Sequence, residues 1–351
     1  METDSKMSLM LEEIYEQPQA IAGAMEHGHC SVAALVNDLR EREIRYVVIA
    51  ARGTSDNAAT YAKYLMEIVL GVPVALAAPS VYTLYDAELN LPGCLALGIS
   101  QSGQATDVVQ TLSAARAAGA LTACITNVEG SPITGVSDHT LLCHAGEEKA
   151  VAATKTYTTA LALVALLVGQ WGNKTALLDG LRAVPDQVRA ALTMDAQIAQ
   201  VVERYRYIQE CAVLARGLNQ CTALEAALKM TETSYIVAKP YSGADFLHGP
   251  IAMVSEGFPC FLYAPDGRAY PSMVELALKL RDRSAELVAF AHSPEILELA
   301  TRPLPLPTAV DELLSPLVYI VPGQLWAYHL AHARGQNPDK PRGLSKVTLT
   351  R

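Results

Sequence analysis

At 351 residues, of which 51% are apolar and 6% aromatic, the chain can bury a core in each of two ordinary domains, which excludes a disordered or fibrous protein. Its formal net charge of −9, with no cluster of basic residues, excludes a surface built to neutralise a nucleic-acid backbone. The 7 cysteines (Cys30, Cys94, Cys124, Cys143, Cys211, Cys221 and Cys260) show no CxxC spacing, which excludes a disulfide frame or a zinc knuckle.

The first residues, METDSKMSLMLEEIYEQP, carry acids where a secretion signal needs a basic end and an apolar run. The apolar stretch 160–167 is too short to span a bilayer, so the cytoplasm is the expected compartment and no membrane partner is expected. A first strand is predicted over 46–50, ending at Ala51-Arg52-Gly53 and followed by a helical run to about residue 69. Strands at 74–78, 94–100, 121–127 and 140–144 follow, with a helix over 103–118 between two of them. A largely helical stretch runs from 154 to about 210, with breaks expected near Gly172-Asn173 and at Pro185. The opening pattern then restarts: a strand over 211–215 ends at Ala215-Arg216-Gly217 and leads into helical spacing to about residue 235. That repetition predicts an internal duplication with domains at 1–194 and 195–351. Further strands at 259–264 and 286–291 and a helix over 312–333 complete the second half. Strands alternating with helices imply an α/β fold with a parallel, doubly wound sheet of flavodoxin type in each half.

Two loops carry candidate chemistry. After the strand at 94–100, Ser100-Gln101-Ser102-Gly103 leads into a helix, where first-turn N–H groups, the helix dipole and two hydroxyls favour an anion. A single phosphate needs no net positive charge in such a place. The plainer reading is that Ser102 caps the helix. Against it, Arg52-Gly53-Thr54-Ser55-Asp56 also follows a strand and opens a helix, so Thr54 and Ser55 are placed to close on the same phosphate or on a sugar hydroxyl. In the second half, Lys229 and Glu232 lie three apart on one helix face amid Ala, Leu and Met. The alternative there is a solvated surface ion pair. His248 precedes Gly249-Pro250, which predicts a sharp turn, and a lone histidine of this kind is more often structural than chemical.

Taken together, EIYEQP from Glu13, RGTS from Arg52, SQSG from Ser100, VAATK from Val151, ALEAALKMTETSY from Ala223, HGP from His248, VPGQLWAYH from Val321 and PRGLSK from Pro341 resemble the sugar isomerase (SIS) family. The likeness is to the isomerase part of glucosamine-6-phosphate synthase and to SIS-type glucosamine-6-phosphate deaminases, over nearly the whole chain. It implies that Ser55, Ser100, Gln101 and Ser102 bind phosphate, that Thr54 and Val151 line the sugar, and that Glu232 moves a proton between C1 and C2. It further implies that His248 assists ring opening from the neighbouring subunit of a homodimer with shared active sites, that Lys346 reaches the carbonyl end, and that Lys229 supports the base. Ala105 and Ala153 depart from the family pattern, standing where the synthase has hydroxyl-bearing residues, and Thr106 is displaced by one position. The first cysteine is Cys30, so glutamine is not expected as the ammonia source.

The expected reaction is conversion of glucosamine 6-phosphate to fructose 6-phosphate and ammonia, with no metal and no organic cofactor. The glycine pattern is not GxGxxG, and a proton-transfer isomerisation needs no hydride acceptor. The expected ligand is a phosphorylated hexose or amino sugar, with no nucleic acid. A deglycase acting on phosphorylated fructosamines and a non-catalytic sensor of a sugar phosphate are the alternatives.

Overall fold

The computed structural model describes residues 8–346. Short runs of β-branched and small apolar residues make two parallel sheets of five strands each. In the first, β1 (Tyr46–Ala50), β2 (Val74–Leu76), β3 (Cys94–Ile99), β4 (Leu121–Thr126) and β5 (His139–Leu142) lie in the order β2-β1-β3-β4-β5. In the second, β6 (Glu210–Ala215), β7 (Val237–Ser242), β8 (Pro259–Ala264), β9 (Glu286–Ala291) and β10 (Arg302–Pro305) lie in the order β10-β9-β8-β6-β7. Numbered from the start of its own half, each sheet reads 2-1-3-4-5, the doubly wound order of the flavodoxin type. The α/β class and the duplication signalled by the two Ala-Arg-Gly strand ends are thus both present. The registers correspond too, with Tyr46 opposite Cys94 in the first sheet and Ala212 opposite Cys260 in the second.

Two strands lie outside those predicted, and both contain proline: Pro240 in β7, and Pro303 with Pro305 in β10. They are the edge strands of the second sheet, where a residue without an N–H can turn that side away from the ladder. Pro185 does not break the middle stretch as expected; it lies inside the helix Thr175–Leu192. One i→i−4 bond is lost there, but burial of Leu181, Val184, Val188 and Leu192 carries the helix through. Gly172-Asn173 does end the helix Lys155–Trp171, with Asn173 left-handed at φ 51°.

The chain forms two compact units, each discontinuous in sequence. The first-sheet unit comprises residues 19–146 and 155–185; the second-sheet unit comprises 8–18, 147–154 and 186–346. In the first, helix Thr106–Ala117 packs on β3 through Val108 and Leu112 against Ala50, Cys124 and Ile133. A Cβ on Gly98 would stand 2.8 Å from Leu112 and 2.9 Å from Ile133, so glycine allows this helix to sit close over the strand that leads into the Ser100 loop. In the second, Leu214, Phe246, Leu262, Met273, Leu276 and Leu287 form one core. Trp326, on the buried helix Ser315–Ala333, meets Phe261 and Tyr205 edge-on at 4.9 and 5.0 Å between ring centroids. That helix lies along Gln220–Ser234, the helix bearing Lys229 and Glu232. Among the described residues no helix is long and apolar enough to cross a membrane.

Candidate active site

In an open α/β sheet, ligands settle beyond the carboxyl ends of the strands where the order reverses, which in the first sheet lies between β1 and β3. Both predicted loops are there. Gly53, at φ 55°, precedes helix Thr54–Leu70, and Thr54 and Ser55 stand half-buried in its first turn. After β3, the N–H of Gly103 donates to the carbonyl of Ser100 at 3.2 Å, closing a turn in which Ser100 is buried. The carbonyl of Gln101 accepts from the N–H of Asn127 at 3.0 Å. The N–H groups of Gln101 and Ser102 have no hydrogen-bond partner among the described residues, which leaves two donors at the turn. Gly103 is left-handed at φ 64°, and a Cβ there would overlap Ser131 Oγ, so the turn requires glycine twice over.

The capping role considered for Ser102 is not what the structure contains. The helix begins at Thr106 rather than 103, with Ala105 as an N-cap that supplies no side-chain hydrogen bond. Ser102 Oγ instead accepts the N–H of Gln104 at 3.3 Å, a local turn contact. Asp107, buried in the first helical turn, accepts from Arg52 Nε at 2.6 Å and so ties the loop after β1 to the helix after β3.

The duplicate of this turn in the second sheet is closed. There the segment after β8 enters helix Tyr270–Asp282, and the N–H groups of Arg268 and Ala269 donate to the Glu312 carboxylate at 2.8 and 3.0 Å. Gly267, at φ 141°, has no room for a Cβ beside that carboxylate. The donors so engaged correspond to the N–H groups of Gln104 and Ala105 in the first copy, and Pro265, at the place of Gln101, has no N–H to offer, so the second turn lacks that pair of open donors.

In the second-sheet unit, helix Gln220–Ser234 puts Glu225, Lys229 and Glu232 on one face. Lys229 Nζ lies 2.7 Å from Glu232 Oε2 and 3.4 Å from Glu225 Oε1; Lys229 and Glu225 are fully buried, whereas the Glu232 side chain keeps 25% exposure. A solvated surface pair is therefore excluded. Burial pulls the pKa of Lys229 down, but the Glu225, Glu232 and Glu148 carboxylates outweigh it and hold the ammonium above its usual value, so it stays charged. Lys346 Nζ donates to buried Glu148 at 2.9 Å and to the carbonyl of Ala150 at 2.7 Å. The other Glu148 oxygen accepts the N–H of Thr154 at 2.9 Å. Since Glu148 also acts on Lys229, the predicted pair and Lys346 belong to one charged network, although 198 residues of chain separate Lys346 from Glu148.

Val151 is half-buried, and its N–H points to the carbonyl of Asp339 at 3.4 Å. His248 stands exposed after the short helix Gly243–Leu247, where Gly249 at φ 150° makes the expected sharp turn. Among the described residues it makes no side-chain hydrogen bond or ion pair with the network. Sequence reasoning omits Glu225, Glu148 and Asp107. Glu225 was within reach, because a Glu four residues before Lys229 is a standard helical pairing. Glu148 has no local signal. A partly exposed carboxylate beside a buried ammonium can take up and return a proton, and a second ammonium can steady a developing oxyanion. No group of three or more His, Cys, Asp or Glu among the described residues is arranged to hold a metal ion.

The profile of the SIS domain matches residues 42–169 and 209–334. The isomerizing glutamine–fructose-6-phosphate aminotransferase of Thermococcus kodakarensis is 36% identical over 349 residues, covering 96% of this chain; the chain spans only 57% of that enzyme's length. Among solved structures, a candidate phosphosugar isomerase from Silicibacter pomeroyi DSS-3 is 36% identical, with a TM-score of 0.86 over 95% of this chain and 100% of its own. The C-terminal domain of glucosamine-fructose-6-phosphate aminotransferase from Francisella tularensis is 28% identical, with a TM-score of 0.86 over 97% of this chain and 100% of its own.

Proposed function

The chain belongs to the SIS domain family, and from that membership we propose that it is a phosphosugar isomerase that deaminates glucosamine 6-phosphate to fructose 6-phosphate and ammonia. The observation that carries this reading is the buried Glu225–Lys229–Glu232 arrangement, which leaves one carboxylate partly exposed and keeps a charged ammonium at its side. In this scheme the open N–H groups and hydroxyls of the Ser100–Gly103 turn, with Ser55, hold the phosphate, and Thr54 and Val151 line the sugar. Orientation of the carbon skeleton is worth several orders of magnitude in rate.

His248 assists opening of the ring; its exposure supports a part played in the site of a neighbouring subunit, hence a homodimer. Glu232 removes the C2 proton of the open-chain aldehyde and returns it at C1 through an enolamine. Lys346 donates to the oxygen on which charge develops. The product of that transfer is the C2 imine of the ketose, and one water hydrolyses it to fructose 6-phosphate with release of ammonia. Lys229 stays protonated and fixes the rotamer of Glu232 throughout.

The test is ammonia release from glucosamine 6-phosphate by the purified chain, coupled to detection of fructose 6-phosphate, with Glu232→Gln as control. Equimolar release of both products that disappears in the variant supports the proposal. Turnover of a phosphorylated fructosamine instead would make the chain a deglycase, and tight binding without turnover of either sugar would make it a sensor.

A further inference from the structure

The segment Glu13–Pro18 is distinctive in the sequence yet has no part in the scheme above. In the second-sheet unit it holds the loop 147–154, which supplies Val151, Glu148 and the carbonyl of Ala150, directly at Lys149 and Ala150 and through Gln324 at Thr154. At the first end, the carboxylate of Glu13 accepts the N–H of Lys149 and, at 3.2 Å, that of Ala150; the side chain is only 4% exposed. At the other end, the fully buried Gln17 donates at 2.8 Å to Gln324 Oε1, and Gln324 donates in turn to the carbonyl of Thr154 at 3.3 Å. Gln17 is itself held by the carbonyl of Ile14 at 2.9 Å.

The helix bearing Glu13, Leu9–Tyr15, is fixed at both its ends. Asp339 accepts from the N–H groups of Leu9 and Met10 at 3.1 and 2.9 Å, and Tyr15 donates to Asp195 at 2.6 Å. The brace is therefore rigidly mounted. Its load is the Ala150 peptide, whose N–H goes to Glu13 and whose carbonyl accepts from Lys346 Nζ at 2.7 Å. Rotation of that peptide would take the acceptor away from Lys346 and leave the ammonium to Glu148 alone among the two contacts that hold it.

We propose that Glu13 and Gln17 are positioning residues which clamp the loop 147–154 and thereby hold Lys346 in the orientation the reaction needs. The part played in the reaction rests on the function proposed above; the clamp itself does not. Loss of Glu13 leaves the N–H of Lys149 and the buried N–H of Ala150 without their acceptor, and a displacement of Lys346 by about 1 Å is enough to cost on the order of a hundredfold in rate.

The experiment uses the full chain with Glu13→Ala and, as conservative variant, Glu13→Gln, whose Oε1 can still accept both N–H groups. Hydrogen exchange resolved on peptides over 147–154 reads the clamp without any substrate. Exchange there is expected to rise at least tenfold in Glu13→Ala and to return most of the way in Glu13→Gln; unchanged exchange overturns the clamp. Turnover of glucosamine 6-phosphate reads the consequence: kcat falls by about a hundredfold with KM within threefold, and in a Lys346→Ala background the same substitution costs no more than threefold. An equal loss in both backgrounds, or faster exchange with unaltered kcat, overturns the positioning role. A wild-type chain inactive on every sugar phosphate refutes the proposed function, and the clamp is then decided by exchange alone.

Discussion

Replacing Lys229 by methionine keeps most of the side-chain volume on helix Gln220–Ser234 and removes only the ammonium. Glu225, fully buried, then loses a cation 3.4 Å away, and Glu232 loses one at 2.7 Å. Breaking a buried pair by deleting one partner costs about 3–5 kcal/mol, because the remaining charge is still out of water. In a protein of this size 1 kcal/mol lowers the midpoint by roughly 2–4 °C, so Lys229→Met should melt roughly 6–20 °C below the parent at pH 7. The sign with pH follows from the charges left behind. Protonating a carboxyl removes the penalty, so the deficit should shrink as the pH falls from 7 towards 5, while the parent keeps its ion pairs. Adding Glu225→Gln to Lys229→Met should recover most of the loss at pH 7, since the double variant buries no lone charge on that turn. Differential scanning calorimetry of the three variants at pH 7 and pH 5 measures this. A loss under about 1 kcal/mol at pH 7, or a deficit indifferent to pH, would show that the pair is solvated and the reasoning wrong.

Gly103→Ala should cost roughly 1–2 kcal/mol for placing a Cβ in the left-handed region, with a further loss from displacing Ser131, and should weaken binding of a sugar phosphate at least about tenfold. Gly119→Ala, at φ 86° in open space, pays only the backbone cost and should leave binding unchanged by isothermal titration. Glu312→Ala should lower stability by about 1 kcal/mol, as loss of a helix cap does; added inorganic phosphate should then raise the melting temperature of the variant more than that of the parent. Equal responses would mean that Glu312 is no stand-in for an anion. Asp195 is held below the usual carboxylate range by its hydrogen bond from His329, which with that from Tyr15 outweighs burial. Its contribution is thus full above its unfolded value near 3.8 and lost as the pH falls through the lower folded one. Asp195→Asn should therefore destabilise the chain at pH 6 and by less at pH 3, read from urea midpoints; an equal deficit at both would sink the assignment.

The central strands were legible because β3 and β4 are buried from end to end, β3 reading as an unbroken apolar run and β4 as one interrupted only by Thr122 and Thr126. β7 and β10 were hidden by Pro240, Pro303 and Pro305, which argue against a strand unless its place at an edge is already known. Pro185 misled in the opposite direction, since burial of its neighbours outweighs one lost hydrogen bond. At the site, Lys229 and Glu232 announced themselves because helical spacing is a local property. Glu148 and Lys346 could not, because their contact is a tertiary event that no periodicity encodes. Ser102 looked like a cap because its spacing fits one; only the late start of the helix at Thr106 assigns its hydroxyl elsewhere.

The two copies of the fold diverge in the loops that leave their first and third strands, and under the proposed function that divergence separates phosphate binding from proton transfer. Each copy offers a turn after its third strand and a helix after its first. In the first copy the turn keeps two N–H donors without a partner among the described residues, and the helix after β1 opens with hydroxyls at Thr54 and Ser55. In the second the turn is filled by Glu312, while the helix after β6 carries a buried ammonium between two carboxylates. Under the proposed function the first copy, whose turn offers N–H donors, takes the phosphate, and the second, whose turn is tied down by Glu312, carries the Glu225–Lys229–Glu232 face.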